Sequence, residues 1–582
     1  MIIELTGLPG SGKSTFAKKL VQEGEWQIVR TNGMADILWN NCCFALRHPI
    51  YFSRGFFAMI RFCGARQFWY TKFMNLFLVH NAKYMKASRM SHAIIDQGHH
   101  QNIISLFDEK ASDVVLRTYL AKLPQPDALV LFAADEDVRA SRLRARGYGA
   151  RENVEGGLRE AWEDARGVNF ELLYAIRSEL PVTTMVVTPE NEEEQLGSLA
   201  HFRLWRFVMH LRMPTEKAHG LQIANTLQAL SRAGQQVELW VTKRKNAISE
   251  NVFTYYGLSE RFPVRYLRVL PALRLTSILG AGAYWLEAAF FMIVLLMERI
   301  DTSMIYYTRN AEVAWLLGKK GATVFYEAHL WPSGKSVIFR FFLQGVKGIV
   351  ANSEGTAEVF RKNGFSNTEV IRNGADLEKF SIDMTREDAR KKIDLPLDGD
   401  IIMYVGSFAR WKGVATLRGA WAKLRKQFPN AHLVMVGGTT KDLTHFPECR
   451  ELAGDTQCIV RGHLPSSMIP TYLRAADILV LPNEPVSEES IRFTSPIKLF
   501  EYMASGRPIV ASDLPSMREI LNETNASLFI SGDKDDLARS IADLLVNKGA
   551  GDEHAKNASA LVREYSWEAR ARRLVAFVDS SR

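Results

Sequence analysis

The sequence predicts an α/β chain of wound units, each a largely parallel sheet covered by helices. Three observations predict it. Short apolar runs alternate with amphipathic stretches along the 582 residues, the pattern of strands buried on both faces. The chain is too long for one core and divides into about three or four compact units. At its start, Gly7-Leu8-Pro9-Gly10-Ser11-Gly12-Lys13-Ser14 follows the apolar run Ile2-Ile3-Glu4-Leu5. That is the G-x-x-x-x-G-K-[ST] phosphate loop, set between a strand and a helix.

Composition narrows the classes. A hydrophobic content of 47% with 24% charged residues excludes disordered and fibrous chains. There is no low-complexity segment and no fixed-period repeat. The net charge of +9 favours anionic partners such as phosphorylated ligands or an acidic membrane face. The five cysteines, Cys42, Cys43, Cys63, Cys449 and Cys458, are odd in number and lack metal-ligand spacing, which reads as reduced thiols in the cytoplasm. The first residues enter a strand without the pattern of a signal peptide. The longest apolar stretch, 278–297, carries Glu287 at its middle and is expected as a buried helix rather than a membrane span.

In the first unit the run Thr15-Phe16-Ala17-Lys18-Lys19-Leu20 has helical spacing. It places the loop at a helix N-terminus, where free N–H groups and the helix dipole hold phosphate oxygens. Gly7, Gly10, Ser11, Gly12 and Thr15 then frame ATP. Lys13 reaches its β- and γ-phosphates, and the Ser14 hydroxyl ligates Mg²⁺. Ala93-Ile94-Ile95 ends in Asp96, a carboxylate placed to hold that metal or to accept the proton of a phosphate acceptor. Arg139, Arg142 and Arg146 recur at helical spacing after the strand-like run Ala128–Phe132. Such a face can close over a transferring phosphoryl group, and Arg142 and Arg146 are counted with the ATP site. Over roughly residues 1–190 the segment resembles the small P-loop kinases of nucleosides, nucleotides and adenylylsulfate. Those families often carry an Asp-Arg or Glu-Arg pair where this chain has Asp96-Gln97, so the resemblance leaves the acceptor undetermined.

Between Asp36 and Asp96 there is no acidic residue. The stretch holds thirteen aromatic residues and, between 37 and 90, eight lysines or arginines. Arg47, Arg54 and Arg61 recur every seven residues among Phe44, Tyr51, Phe52, Phe56, Phe57 and Phe62. A basic, aromatic helix of this kind can lie on an anionic membrane or grip an amphiphilic acceptor. It equally suits the acceptor-side helices of a kinase with arginines in water. No nucleic-acid motif accompanies it.

The polar, acidic run Thr188–Gln195 sets a boundary near residue 200. Two more wound units follow. The first opens at Phe207-Val208-Met209 and reaches a glycine-bearing loop with Gly220. The second opens at Ile401–Gly406 and contains Phe493-Thr494-Ser495-Pro496-Ile497-Lys498-Leu499-Phe500-Glu501-Tyr502-Met503-Ala504-Ser505-Gly506. There Ser495 is expected as N-cap, Pro496 as first helical residue and Gly506 just past the end. The helix start is a diphosphate site, Lys498 adds charge in its first turn, and Glu501 lies about two turns in, where a carboxylate can accept from a ribose diol.

Residues 205–582 resemble the group-1 family of retaining glycosyltransferases with the GT-B fold. The resemblance rests on Pro214–Gln222, Glu327-Ala328-His329, Asn373-Gly374-Ala375-Asp376, Val405-Gly406 with Lys412-Gly413, Arg461-Gly462-His463-Leu464, Ser495–Asp513 and Tyr565-Ser566-Trp567. It implies that Lys412 and the residues before Glu501, including Thr494, Ser495 and Lys498, hold the donor diphosphate. It also implies that Glu501 binds the ribose, that Gly462, His463 and Leu464 flank the base, and that His329 faces the donor sugar. Many members carry a second glutamate eight residues before the ribose one, where this chain has Phe493, and an arginine where it has Ser407; Arg410 is the nearest substitute.

The organisation expected is a kinase-like domain at 1–200, an acceptor domain at 201–380, and a donor domain at 381–582 with a closing C-terminal helix. Together the resemblances imply an enzyme of glycan or glycolipid (polysaccharide) biosynthesis. An ATP-dependent kinase using Mg²⁺ would be fused to a retaining glycosyltransferase that needs no metal for sugar transfer. In it Asp96, His329, Lys412 and Glu501 are the candidate catalytic groups. The alternative keeps the transferase and makes the phosphate-loop domain a nucleotide-binding regulatory or membrane-docking module without turnover. Partners expected are ATP, a nucleotide sugar, a glycan or lipid-linked acceptor and an anionic membrane, not nucleic acid. The location expected is the cytoplasm or the inner face of its membrane.

Overall fold

Aliphatic residues fill the short apolar runs, and in the computed structural model these become strands covered on both faces. The structure describes all residues except 24–25, 63–68, 71, 91, 106, 108–109, 121–122, 146–155, 181, 201–203, 273–279, 281, 333–335, 439–451, 453 and 582. The chain forms two units. One comprises Met1–Trp205 with Ile300–Ile305, the other Arg206–Arg299 with Tyr306–Arg582.

In the first unit β1 (Ile2–Gly7), β2 (Gln27–Ile28), β3 (Ala93–Asp96), β4 (Ala128–Phe132) and β5 (Thr183–Val187) form a parallel sheet of order β2-β3-β1-β4-β5. The chain winds one way from β1 to β2 and β3, then the other way to β4 and β5. The carboxyl end of β1 is thus the switch point, where wound sheets open a crevice for ligands. The acidic run after β5 is not a free linker. It becomes the helix Glu192–Ala200, tied to the helix Lys13–Glu23 by Lys19 Nζ to Glu192 Oε1 at 2.7 Å.

The second unit contains two sheets. The seven-stranded one runs β12-β11-β10-β9-β6-β7-β8, from β6 (Leu204–Met209), β7 (Gln236–Lys243), β8 (Val264–Arg268), β9 (Ile305–Thr308), β10 (Thr323–Ala328), β11 (Gly348–Ala351) and β12 (Thr368–Val370). The six-stranded one runs β15-β14-β13-β16-β17-β18, from β13 (Ile401–Val405), β14 (His432–Val436), β15 (Cys458–Arg461), β16 (Ile478–Leu481), β17 (Ile509–Asp513) and β18 (Ser527–Ile530). This last order is that of a doubly wound dinucleotide fold, and its switch point lies at the end of β13.

The apolar stretch at 278–297 becomes the helix Gly282–Met297, but it is not wholly buried as expected. Ala283, Glu287, Ala288, Phe291 and Leu295 turn inward, while Trp285, Ile293, Leu296 and Met297 are exposed. Glu287 lies inside because Arg244 donates to it, and the same guanidinium lies 2.9 Å from His210 Nε2. No described helix is long and apolar enough to cross a membrane.

The last helix, Trp567–Ser580, begins at an N-cap, Ser566, whose hydroxyl accepts from Ala569 N at 3.0 Å. It does not stay with the six-stranded sheet. Ala375 N donates to Tyr565 O at 2.9 Å and Trp567 N to Ala375 O at 3.2 Å, where the chain crosses between the sheets. From this helix Arg570, 3% exposed, reaches into the seven-stranded half. It donates to Glu327 Oε1 at 2.6 Å, Thr226 Oγ1 at 3.2 Å and Arg372 O at 2.9 Å. Burial raises the Glu327 carboxyl and the adjacent Arg570 charge lowers it more, so Glu327 stays ionised well below the usual range.

Removing one partner of a buried ion pair leaves the other desolvated and unpaired, at a cost of about 3–5 kcal/mol. Arg570→Ala should therefore lower the unfolding free energy of the second unit by that amount in denaturant titration. Glu327→Gln, which keeps an acceptor for Arg570, should cost less.

Candidate functional site

At the end of β1 the loop turns back, with Ser11 N on Leu8 O at 3.3 Å, and the helix Lys13–Glu23 begins at Lys13. Gly12 adopts φ +106°, a conformation few side chains allow, and a Cβ there would lie 3.1 Å from Arg142 Nη1. Arg142 donates to Ser11 O at 3.2 Å, so this arginine does come to the loop. Arg146 lies outside the described residues. Lys13 is buried, and its ammonium rests on Gly7 O at 2.6 Å and Leu8 O at 2.9 Å. Thr15 N bonds Gly12 O at 3.0 Å and closes the first turn.

Asp96 ends β3 beside the loop. Ser14 donates to its Oδ2 at 2.8 Å, while its Oδ1 is buried without a hydrogen bond. A hydroxyl and an under-used carboxylate oxygen fit a Mg²⁺ that draws its other ligands from phosphates and water. Among the described residues no cluster of three His, Cys, Asp or Glu could hold a metal alone. The turn after Asp96 is held open: Gln97 adopts φ +62°, and Lys83 Nζ bonds Asp96 O at 2.6 Å and Gln97 O at 3.1 Å. Gln101 Oε1 accepts from Gly7 N at 3.1 Å. Glu4, 1% exposed, accepts from His100 N at 2.6 Å and faces His100 Nδ1 at 3.0 Å. Burial raises the Glu4 carboxyl, but His100 and its neighbours bring it down to about 2. The segment Asp96–Asn102 is thus fastened to both β1 and the loop. Gln101, Lys83 and His100 were not singled out from the sequence, because their partners are remote along the chain.

The second site lies at the switch point of the six-stranded sheet. Gly406 adopts φ +153°, and a Cβ there would lie 3.0 Å from Tyr404 Oη and 3.4 Å from Lys498 Nζ. The helix runs Ile497–Ala504, with Pro496 at the N-cap position and no side-chain cap. This corrects the assignment of Ser495 as cap. The Ser495 hydroxyl is buried without a hydrogen bond, and its carbonyl is taken by Asn373 Nδ2 at 2.6 Å. The first N–H groups of the helix therefore have no side-chain acceptor. Glu501 falls little more than one turn in, not two. Thr494 donates to Glu489 O at 2.6 Å. Gly506, at φ +66°, follows the helix end as expected.

Two lysines converge here. Lys498 Nζ is shielded from solvent without a hydrogen bond, 4.4 Å from the Tyr404 ring centre. Lys412 Nζ sits 3.5 Å over the Trp411 ring. Burial pushes Lys412 down to about 7, only partly opposed by Glu489. Burial and the neighbouring Lys412 charge push Lys498 well below the lysine range. Burial raises the Glu501 carboxyl, and Lys379 counters it. Desolvated cations lacking an anion are costly, so this helix start suits an anionic ligand. Arg410, on the turn Arg410–Lys412, is exposed. Gly462 O accepts from Gly437 N at 3.1 Å, Leu464 packs on the core, and exposed His463 Nε2 lies 3.4 Å from Tyr255 Oη.

In the seven-stranded half, His329 follows β10 with Nε2 3.5 Å from Glu327 Oε1. Burial and Arg309 push its imidazole down to about 4, so it is neutral near pH 7. Gln222 Nε2 donates to Glu327 Oε1 at 2.6 Å. Gly220 lies within the helix Ala218–Arg232, where a Cβ would fall 2.1 Å from Tyr256 Oη. That hydroxyl pins the loop before the helix through Thr215 N and Thr215 O, both at 2.8 Å. Packing thus accounts for the glycine. Phe493, in place of the second glutamate, is buried, and its carbonyl accepts from Asn352 Nδ2 at 2.9 Å.

A phosphate loop on one wound sheet, followed by two further wound sheets with a cationic switch point, defines a P-loop unit joined to a GT-B pair. Residues 3–163 match the family model of the AAA domain, and residues 399–547 that of glycosyl transferases group 1. The D-inositol 3-phosphate glycosyltransferase of Corynebacterium urealyticum is 28% identical over 217 residues, 35% of this chain and 49% of that protein. The phosphatidyl-myo-inositol mannosyltransferase of Mycolicibacterium smegmatis is 29% identical over 201 residues, 34% of this chain and 48% of that one. The chain thus spans about half the length of these curated relatives. Anabaena Alr3699/HepE, solved with UDP-glucose, is similar in fold with a TM-score of 0.51 at 16% identity, covering 65% of this chain and 99% of that one. The chain therefore carries a P-loop kinase-like AAA domain followed by a group 1 glycosyltransferase domain of GT-B fold.

Lys412 carries a pH prediction. Its folded value of about 7 lies below the ordinary 10.5, so between those limits the unfolded chain binds the extra proton, and stability without ligand should rise with pH across that window. An anion favours the charged form. Pyrophosphate binding at about pH 8 should therefore take up protons and weaken as pH rises. Calorimetry in buffers of different ionisation enthalpy measures this, and Lys412→Met should reduce the proton uptake to what Lys498 and the pyrophosphate itself contribute.

Proposed function

We propose that the chain is a two-headed enzyme of glycan or glycolipid assembly: a glycosyltransferase using a nucleotide-sugar donor, fused to an ATP-dependent kinase. The observation that carries the first activity is the pair of shielded lysines, Lys412 and Lys498, beside a helix start without a side-chain cap. An acceptor hydroxyl attacks the anomeric carbon, the bond from that carbon to the diphosphate oxygen breaks, and the nucleoside diphosphate leaves with the electron pair, its oxygen taking up the acceptor's proton. Lys412, Lys498 and the helix N–H groups hold the charge that develops there. Glu501 receives the ribose hydroxyls. Neutral His329 offers a hydrogen bond toward the sugar without adding charge to the cleft. The cations supply the neutralisation that a metal would otherwise provide. The UDP-glucose bound by Alr3699/HepE makes a uridine diphosphate sugar the first donor to try.

In the other head the loop N–H groups and Lys13 hold the ATP phosphates. Mg²⁺, held by Ser14 and Asp96, would neutralise phosphate charge. An acceptor oxygen attacks the γ-phosphorus and ADP departs, with Arg142 near the loop to balance charge. Lys13 would exchange its carbonyl partners on Gly7 and Leu8 for phosphate oxygens.

Lys13→Ala should abolish ATP turnover and leave sugar transfer near the wild-type rate, since the sites lie in separate units; loss of both in a folded variant refutes two independent heads. ATP binding without turnover in the wild type would instead make the first unit a nucleotide-gated module. Glu501→Ala should weaken nucleotide-sugar binding by roughly 2–3 kcal/mol, the scale of hydrogen bonds to a charged group. Titration calorimetry with UDP-glucose and related donors tests it, and unchanged affinity removes Glu501 from the site.

A further inference from the structure

The helices Gly33–Arg47 and Pro49–Phe62, separated only by His48, have inner faces that the fold explains. Ile37, Asn41 and Phe44 are buried, and Asn41 Nδ2 donates to Leu78 O at 2.8 Å. Met59 is buried, and Phe52 and Phe56 pack on Phe77 with ring centres 5.1 and 6.0 Å apart. The outer faces have no such account. Leu46 is 85% exposed, Phe57 66%, Trp39 65%, Ile50 62% and Ile60 51%. Large apolar side chains grouped in this way mark an interaction surface.

The charges on the same surface say what covers it. At 100° per residue, Ile50, Arg54, Phe57 and Arg61 fall within about 60° of the helix circumference. Leu46 and Arg47 end the preceding helix, and all three arginines are exposed. No acidic residue occurs between 37 and 95. The neighbouring cations Lys83 and Lys86 are used internally, the first on backbone carbonyls and the second on Asp36 at 2.7 Å. The outer face is thus aliphatic, aromatic and cationic, with no acidic side chain of its own. A second copy packed on it about a two-fold axis would bring arginine against arginine. Nucleic acid would meet the arginines but leave Leu46, Ile50 and Ile60 in water. A bilayer with anionic headgroups satisfies both: apolar side chains enter the boundary of the acyl region while guanidinium groups stay among phosphates.

We propose that the outer face of residues 38–61 docks the first unit on an anionic phospholipid surface. The inference does not depend on kinase turnover. The test is co-sedimentation of the full chain with sucrose-loaded vesicles of equimolar phosphatidylglycerol and phosphatidylcholine, against phosphatidylcholine alone. The wild type should bind the anionic vesicles at low salt and release as the Debye length falls from about 30 Å at 0.01 M to about 8 Å at 0.15 M. Arg47→Gln, Arg54→Gln and Arg61→Gln together should lower the partition coefficient roughly 100-fold at low salt, at about 1 kcal/mol per basic residue near the surface. Phe57→Ser with Ile60→Ser should weaken binding and keep the salt dependence, because it removes only apolar anchorage. All the substituted residues are exposed, so circular-dichroism melting of each variant should match the wild type. The proposal is overturned by absence of wild-type binding, by equal binding to both vesicle types, or by folded variants that bind unchanged. It is also overturned if, without vesicles, the serine variant converts a dimer to a monomer in sedimentation velocity, which would assign the face to a second copy.

Discussion

The second unit depends on one buried ion pair, Arg570 with Glu327. Charges so far from water need close partners to offset their desolvation, and the donors gather on Glu327 Oε1 while Oε2 is buried without a hydrogen bond. Here the guanidinium spreads its donors over Glu327, Thr226 and the carbonyls at Ile371 and Arg372, and Gln222 adds a second donor to the carboxylate. The consequence is topological. A helix that follows the six-stranded sheet in sequence is fastened to the seven-stranded one, and the crossing at 373–376 is held under it. Gly374 is the close approach that allows this, since a Cβ there would fall 2.6 Å from Tyr565 O. Two further bonds, Asn352 to Phe493 O and Asn373 to Ser495 O, fix the helix Ile497–Ala504 relative to β11 and the crossing. The helix start beside the two lysines therefore inherits its position from contacts outside itself.

The same physics is used in the opposite sense at Lys412 and Lys498. Arg570 is buried and matched; these two are desolvated and left short of negative charge. Aromatic faces, Trp411 under one and Tyr404 under the other, give partial compensation. Tyr404 is held in turn by its own hydrogen bond to Ser407 O at 2.6 Å. Ser407 thus contributes a backbone carbonyl that orients the ring under Lys498. Stability forgone in the empty site is recovered when an anion binds. That favours an anionic ligand over a neutral one at this helix start.

The parts of the structure legible in the sequence were those carried by neighbouring residues. The phosphate loop, the alternation of strands and helices, Gly506 after its helix and the pairing of Ser14 with Asp96 follow from local spacing plus the rule that wound sheets gather ligands at strand ends. What was not legible depends on remote partners. Gln101 meets Gly7, Arg570 meets Glu327 and Arg244 meets Glu287, each across a separation no periodicity encodes. The helix Gly282–Met297 misled for a related reason: its apolar content is nearly uniform around the axis, so composition could not reveal that only one face is covered. Ser495 was placed as a cap from residue type alone, whereas Asn373 draws its carbonyl away and leaves Pro496 at the helix start.

The two units hold their lysines in different ways. Lys13 is parked on carbonyls of its own loop, so it stays satisfied without nucleotide and can exchange two neutral acceptors for charged ones when phosphates arrive. Lys498 has no such resting place. Among the described residues its relief is the Tyr404 ring, 4.4 Å away, so the cost of holding this charge depends on whether an anion is present. A loop with a built-in resting state costs the first unit little when empty. The second unit bears its penalty continuously, on the six-stranded sheet, while the Arg570–Glu327 pair fastens the last helix to the seven-stranded one.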